Sequence, residues 1–378
     1  MKRPDLSGNS RKGVAETLST VTPAMLSTTR GKPRDHTIRE ALQGWAFHRD
    51  RRDAVAQPRR VQDALKWLAD NSRPASALAD PSRLREALQL TGTRLDGASS
   101  AASVVSRKRA VLHNALDYAV ERQVLPRNPL PELKWNPPKS VQAIDRRTVV
   151  DHDQACKLLE AVGQQEPSGP RLVAFFAVLY YAAARPAEAV NIRRGDIVLP
   201  DLVQNPETGQ WQEQPEVWGE LLLSASAPET GARWSSTGKR RDRRQLKHRG
   251  QGDTRPVPCQ PPLVRILREH MRRFPPLLSG RVLYGVQGGE LSQSTYAHAW
   301  SRARKTALTA DEYAAPLAKR PYDLRHAAVS TWLSAGVSPT QVAEWAGHSV
   351  NGLLQIYAKC LAGQEQLARE RVARMFGP

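Results

Sequence analysis

The chain has 378 residues, enough for two or three domains with sizeable cores. Its 56 Lys and Arg against 37 Asp and Glu give a formal charge of +19, and 43 of the cations are Arg, which points to a phosphate-bearing polyanion as partner. The longest apolar run, Leu172 to Ala184, is 13 residues, short of the ~18 that suggest a membrane span, and Cys156, Cys259 and Cys360 lie too far apart for a disulfide framework or a CxxC metal pair.

In chain order, residues 1–36 are rich in Ser, Thr, Pro and Arg, with a helix-like stretch near 10–27 and no apolar core of a secretory signal. Apolar residues recurring at three and four predict helices within 37–72 and over 79–90. The strongest pattern of the first half is SAASVVSRKRAVLHNALDYAVERQVL, 100–125. Val104, Val111, Leu112, Leu116 and Ala119 fall on one stripe of it, and Arg107, Lys108 and Arg109 lie early. Four prolines and little periodicity mark 127–149 as a linker, with the boundary near 136–146.

The second half opens with the helix DHDQACKLLEAV and the very apolar RLVAFFAVLYYAAA, a core helix by its all-round apolarity. Residues 196–223 and TRPVP, 254–258, suit short strands separated by polar loops. Helices resume at PPLVRILREHMRRF, at STYAHAWSRARKTAL and from Asp323 onward. The expected fold is mainly α with a small β-sheet: a helical domain over 1–136, a linker over 137–148, and a mixed α+β domain over 149–378.

Three segments carry chemistry. In ARPAEAVNIRRGDI, Arg185 precedes Pro186 at the start of a new helix, where N–H groups and the dipole favour an anion. In GKRRDRRQLKHRG, 238–250, seven Lys or Arg including Arg243 and Arg244 surround one Asp; the segment reads as a solvated basic loop or as a hairpin tip that touches phosphate. In PYDLRHAAVSTWLSAGVSPTQVAEWAGHS, Asp323 is an expected N-cap, with Arg325 and His326 in the first turn behind it. Ser338-Pro339-Thr340-Gln341 has capping-box spacing, Val342, Trp345 and Ala346 form a buried stripe, and Gly347 ends that helix, which fixes His348 on a turn. Nine residues later Tyr357 shares a face with Leu353 and Leu354. Two Arg, a Lys, an imidazole and a phenol suffice for phosphoryl transfer. The guanidiniums hold the non-bridging oxygens, the phenolate attacks phosphorus, and the ammonium protonates the leaving oxygen.

The ordered motifs ARPAEA, LKHRGQGDTRPVP, YDLRHAA, EWAGHS and QIYAKC resemble the tyrosine recombinase (phage integrase) family, most of all integrases of actinobacterial mobile elements. The resemblance covers 150–378 well and the helical first domain more loosely. It implies a site-specific recombinase that cuts and rejoins DNA through a 3′-phosphotyrosyl link, without metal, ATP or other cofactor, to integrate a mobile element. Arg185 and Arg325 would clamp the phosphate, with Glu188 as buttress at the family's RxxE spacing. Lys247, preferred over Lys239, would be the general acid, His348 would hydrogen-bond the phosphate, and Tyr357 would be the nucleophile. Arg107, Lys108, Arg109, Arg243 and Arg244 are candidate DNA contacts. The implied partners are double-stranded attachment sites, a homo-tetramer on DNA and an excision or bending factor, in a cytoplasmic, nucleoid-associated setting with no membrane. The tail after Tyr357 reads as a helix that docks on a neighbouring protomer or packs in cis. No separate N-terminal arm-binding domain is evident. One departure stands out. Where the family has His three residues before the second Arg, this chain has Tyr322, a poor proton acceptor near neutral pH. His326 is expected to point elsewhere on its helix, leaving His348 or solvent to help. The alternative is a DNA-binding protein of this fold with weakened or lost catalysis.

Overall fold

The computed structural model describes residues 6–376 except 49, 54–55, 95, 137, 139–142, 248, 251 and 362–364, and leaves aside the side chains of 358–368 and 376. The chain divides into two compact units, Met1–Ser140 with Thr230–Lys239, and Val141–Glu229 with Arg240–Pro378.

The first unit is helical. It contains α1 (Gly8–Val21), α2 (Asp35–Ala41), α3 (Arg59–Asp70), α4 (Pro81–Gly92) and α5 (Ala102–Glu121). Leu84 and Leu88 of α4 pack with Leu112 and Leu116 of α5, and Ile38, Leu42 and Leu68 close a second small core. The buried line of α5 runs through Val105, Lys108, Leu112 and Leu116, one residue away from the expected stripe at its start. This rotation removes Lys108 from the candidate DNA contacts. Its side chain lies inside the unit, 3.4 Å from Thr20 Oγ1. Arg109 is half-buried, with its guanidinium over the Trp135 ring at 5.7 Å, while Arg107 is exposed. Residues 230–239 join this unit through Trp234. Arg11 donates to the Trp234 carbonyl at 2.7 Å, and the His48 ring lies 4.7 Å from the Trp234 ring.

The second unit is built around α7 (Gly169–Tyr181), which follows α6 (His152–Gly163). Asp151 and Gln154 form a reciprocal capping box on α6. α7 is buried nearly all round and packs against α6, α9 (Pro261–Arg273) and α12 (Asp323–Ser334). Between α7 and α9, the described residues form the single turn α8 (Pro186–Ala189) and seven short strands: β1 (Ile197–Val198), β2 (Val203–Gln204), β3 (Trp211–Gln212), β4 (Gly219–Leu223), β5 (Ala225–Ser226), β6 (Arg244–Gln245) and β7 (Arg255–Cys259). β1, β4 and β7 form an antiparallel sheet in that order, with buried Leu221 opposite buried Val257. The polar loop expected between the first strands folds back as the β2–β3 hairpin, and β5 pairs with β6. The remaining helices are α10 (Gln293–Ala307), α11 (Ala310–Ala314), α13 (Pro339–Ala346), α14 (Val350–Leu361) and α15 (Glu365–Phe376). The fold is therefore mainly helical with small antiparallel sheets. Among the described residues, no helix is long and apolar enough to cross a membrane.

Candidate active site

The left-handed backbone of Ala183, at φ 47°, turns the chain sharply between α7 and α8. Arg185 then stands as N-cap of α8, with Pro186 at its first position. Glu188 reaches back from the third position of that turn. It accepts the Arg185 main-chain N–H at 2.8 Å and the Arg185 guanidinium at 2.8 Å. It also takes a bidentate pair from Arg255 at 3.0 and 2.7 Å. Glu188 and Arg255 are each only 1% exposed. Burial works against the charged form of Glu188, but the Arg255 and Arg185 guanidiniums outweigh it and bring the carboxyl down to about 2.

Arg325 is fully buried in the first turn of α12 and donates to the carbonyls of Ala183 and Ala346. Arg185 donates to the next carbonyl, Gly347, at 2.6 Å. Both arginines therefore converge on the end of α13. Ser338 caps the start of that helix, and Gly347 ends it in the left-handed region at φ 63°. A Cβ on Gly347 would lie 2.3 Å from the Arg255 guanidinium. Gly347→Ala is accordingly expected to lose about 1–2 kcal/mol from backbone strain alone, with a further loss from the displaced guanidinium. A urea titration checks this; wild-type stability would sink the geometric reading.

Asp323 is not the N-cap of α12. Tyr322 occupies that position, and Asp323, 1% exposed, accepts the Arg320 main-chain N–H at 2.8 Å and its guanidinium at 3.0 Å. The carboxylate thus closes the turn in front of the helix.

Tyr357 is fully buried on α14 beside buried Leu353, whereas Leu354, expected on the same face, is exposed. The sequence expectation for His326 is reversed. Its Nδ1 lies 2.6 Å from the Tyr357 hydroxyl, and its ring meets the Tyr322 ring edge-on at 5.1 Å. The reason is helical spacing: Tyr322 caps α12, and His326 follows four residues later on the same side. The His348 ring stands 6.2 Å from that of Tyr357.

Three buried nitrogens at this cluster have no hydrogen-bond partner among the described residues: Arg255 Nε, Arg325 Nε and His348 Nε2. Three guanidiniums against one carboxylate leave an excess of positive charge. Burial and neighbouring Arg185 lower Arg325 to about 10. Burial, with Arg325 contributing, holds His326 at about 4 and His348 at about 3. Both imidazoles are neutral at pH 7. Because unfolding returns them to ordinary values near 6.5, the unfolded chain takes up more protons below that pH. Their contribution is complete above about pH 6.5 and falls as pH drops toward 4 and then 3. Melting at pH 7.5 and 4.5 is expected to show a larger acid loss for wild type than for the variant carrying His326→Gln and His348→Gln. Equal losses would contradict the assignment.

Lys247 is exposed on the turn after β6, within the same unit as this cluster, whereas Lys239 belongs to the other unit. Arg243 is exposed and Arg244 is half-buried on β6. The basic loop is therefore anchored as well as solvated. At its base Arg241 is buried, donating to the carbonyls of Ala227 and Leu291 and pairing with Glu229. Among the described residues, no group of three His, Cys, Asp or Glu could hold a metal ion.

Sequence reasoning missed Arg255 and misplaced His326. The signal for Arg255 was its position in TRPVP, in phase with Val257 and Cys259 on the buried face of β7. An Arg in that phase requires a buried carboxylate.

No family model matches the chain, and no curated protein matches it. Solved structures do. The Tn1549 transposon integrase in complex with transposon right-end DNA superposes with a TM-score of 0.55, covering 84% of this chain and 96% of that one at 14% identity. The chain has the fold of the tyrosine recombinases. The same integrase bound to a circular intermediate DNA gives a TM-score of 0.54 over 85% of this chain and 96% of that one at 13% identity. At these identities the likeness is one of fold.

Proposed function

We propose that the protein is a site-specific DNA recombinase that breaks and rejoins strands through a phosphotyrosyl intermediate on Tyr357. The observation that carries this reading is the convergence of Arg185 and Arg325 on the adjacent carbonyls of Gly347 and Ala346, beside His348. Tyr357 is hydrogen-bonded to the residue after Arg325. A phosphate entering there would replace the carbonyl contacts of the two guanidiniums and meet the unpartnered nitrogens of Arg325 and His348. The guanidiniums would stabilise the charge that builds on phosphorus during attack. Glu188, held by Arg255, would keep Arg185 in place. Lys247 would protonate the departing 5′-oxygen, a role its exposure on the turn after β6 leaves it free to take up against DNA. The covalent link retains the energy of the broken phosphodiester, so a second 5′-hydroxyl can reseal the strand without ATP or metal.

The likeness in fold to a transposon integrase in complex with transposon right-end DNA supports DNA as substrate and a mobile element as context; a tetramer of protomers performing the exchange is part of the proposal. Exposed Arg107 of α5 and Arg243 before β6 are the proposed phosphate contacts outside the site. A preferred duplex would first be selected from a randomised pool by retention on the protein. A nicked form of it, incubated in EDTA, is expected to give a covalent protein–DNA band in denaturing gels that Tyr357→Phe abolishes. Retention without any band would favour the DNA-binding reading, with Tyr322 as the first suspect.

A further inference from the structure

A phenol has an ordinary pKa near 10, so at neutral pH an attacking tyrosine needs a proton acceptor. Tyr322 supplies no imidazole where the family resemblance leads one to expect it. One helical turn further on, His326 faces Tyr322 and places Nδ1 2.6 Å from the hydroxyl of Tyr357. That distance is within direct proton-transfer reach. With Nδ1 accepting the phenol proton, Nε2 carries the imidazole's own hydrogen.

We propose that His326 is the catalytic base for Tyr357, standing four residues beyond the position that Tyr322 occupies. The inference rests on the reading of Tyr357 as nucleophile. In the forward step the phenol O–H bond breaks and its proton moves to His326 Nδ1. The freed electron pair forms the O–P bond while the bond from phosphorus to the 5′-oxygen breaks, and that oxygen takes a proton from Lys247. In the resealing step the incoming 5′-hydroxyl gives its proton to Lys247. The departing Tyr357 oxygen recovers its proton from the His326 imidazolium.

The groups around His326 tune this exchange. Asp323, Arg325, Arg320 and Tyr322 face it from α12 and its approach, Tyr357 from α14, and His348 from the turn between α13 and α14. Burial and the cations of Arg325 and Arg320 oppose protonation of His326, while Asp323 favours it. A bound phosphate adds negative charge beside Arg325 and strengthens the base only when substrate is in place.

The test is single-turnover formation of the covalent complex on the selected nicked duplex between pH 6 and 9.5, with full-length wild type and His326→Gln. Duplex affinity is measured in parallel, and His326→Asn serves if the glutamine variant fails to fold. The expected result is affinity within about twofold of wild type and a rate ~10²-fold lower at pH 7. The deficit should narrow toward pH 9.5, as hydroxide removes the phenol proton. A deficit independent of pH would make His326 a packing residue and overturn the proposal. A faster variant would also overturn it, by showing that the hydrogen bond restrains the nucleophile. If wild type gives no covalent product at any pH, the parent reading fails and takes this inference with it. If wild type reacts and His326→Gln matches it throughout, only this inference fails.

Discussion

Glu188→Gln is expected to destabilise the second unit by about 3–5 kcal/mol. The carboxylate is buried and accepts four hydrogen bonds from two arginines. Glutamine has nearly the same shape but brings an NH₂ group where Arg255 presents its own donors. Arg255, 1% exposed, would keep its charge with no counter-charge in contact. The loss should be pH-dependent in a defined direction. Glu188 has a depressed folded value, so its contribution is complete above its ordinary value near 4.5 and is lost as pH falls toward about 2. Chemical denaturation at pH 7 and pH 3 checks both statements: the gap between wild type and Glu188→Gln should shrink at the lower pH. A variant as stable as wild type at pH 7 would mean that Arg255 finds water or another acceptor.

Arg325→Lys is expected to lower the rate of covalent complex formation by ~10²–10³-fold while changing duplex affinity far less. Lysine keeps the charge but offers one ammonium in place of a planar fork. In the present structure that fork spans the carbonyls of Ala183 and Ala346 and leaves Nε unpartnered. A lysine can reach one of these directions, not all three. The loss should therefore fall on the chemical step, where charge on phosphorus is greatest, and much less on binding, which is spread over many phosphates. Single-turnover cleavage and equilibrium retention on the same duplex separate the two. An equal loss in both would place Arg325 among the general DNA contacts.

The parts of this site that sequence could reveal are those coded by neighbours in the chain. Pro186 after Arg185, Ser338 with Gln341, and Gly347 after Ala346 each announce a local backbone geometry, and α7 declares itself by apolar residues on every face. What sequence could not reveal depends on partners far apart. Arg255 meets Glu188 across 67 residues, and nothing near TRPVP names that carboxylate. His326 was misread because the start of α12 fixes which side chains share a face. With Tyr322 as the cap, the imidazole comes round to Tyr357, 31 residues away. Lys108 was misread for the same kind of reason: a shift of one residue in the buried line of α5 turns an apparent surface cation inward toward Thr20. The role of residues 230–239 was hidden too, since Trp234 finds the His48 ring in a helix-rich unit whose sequence lies far upstream.

Tyr357, hydrogen-bonded to His326 and with its ring 6.2 Å from that of His348, is the residue expected to become covalently attached to DNA. The measurement that tests it most directly is peptide mapping of the trapped complex: protease and nuclease digestion, followed by mass spectrometry of the nucleotide-bearing peptide. A 3′-nucleotide is expected on Tyr357 in the peptide containing GLLQIYAK. A nucleotide on Tyr322, whose ring lies against His326 in the same cluster, or on any other residue, would contradict it.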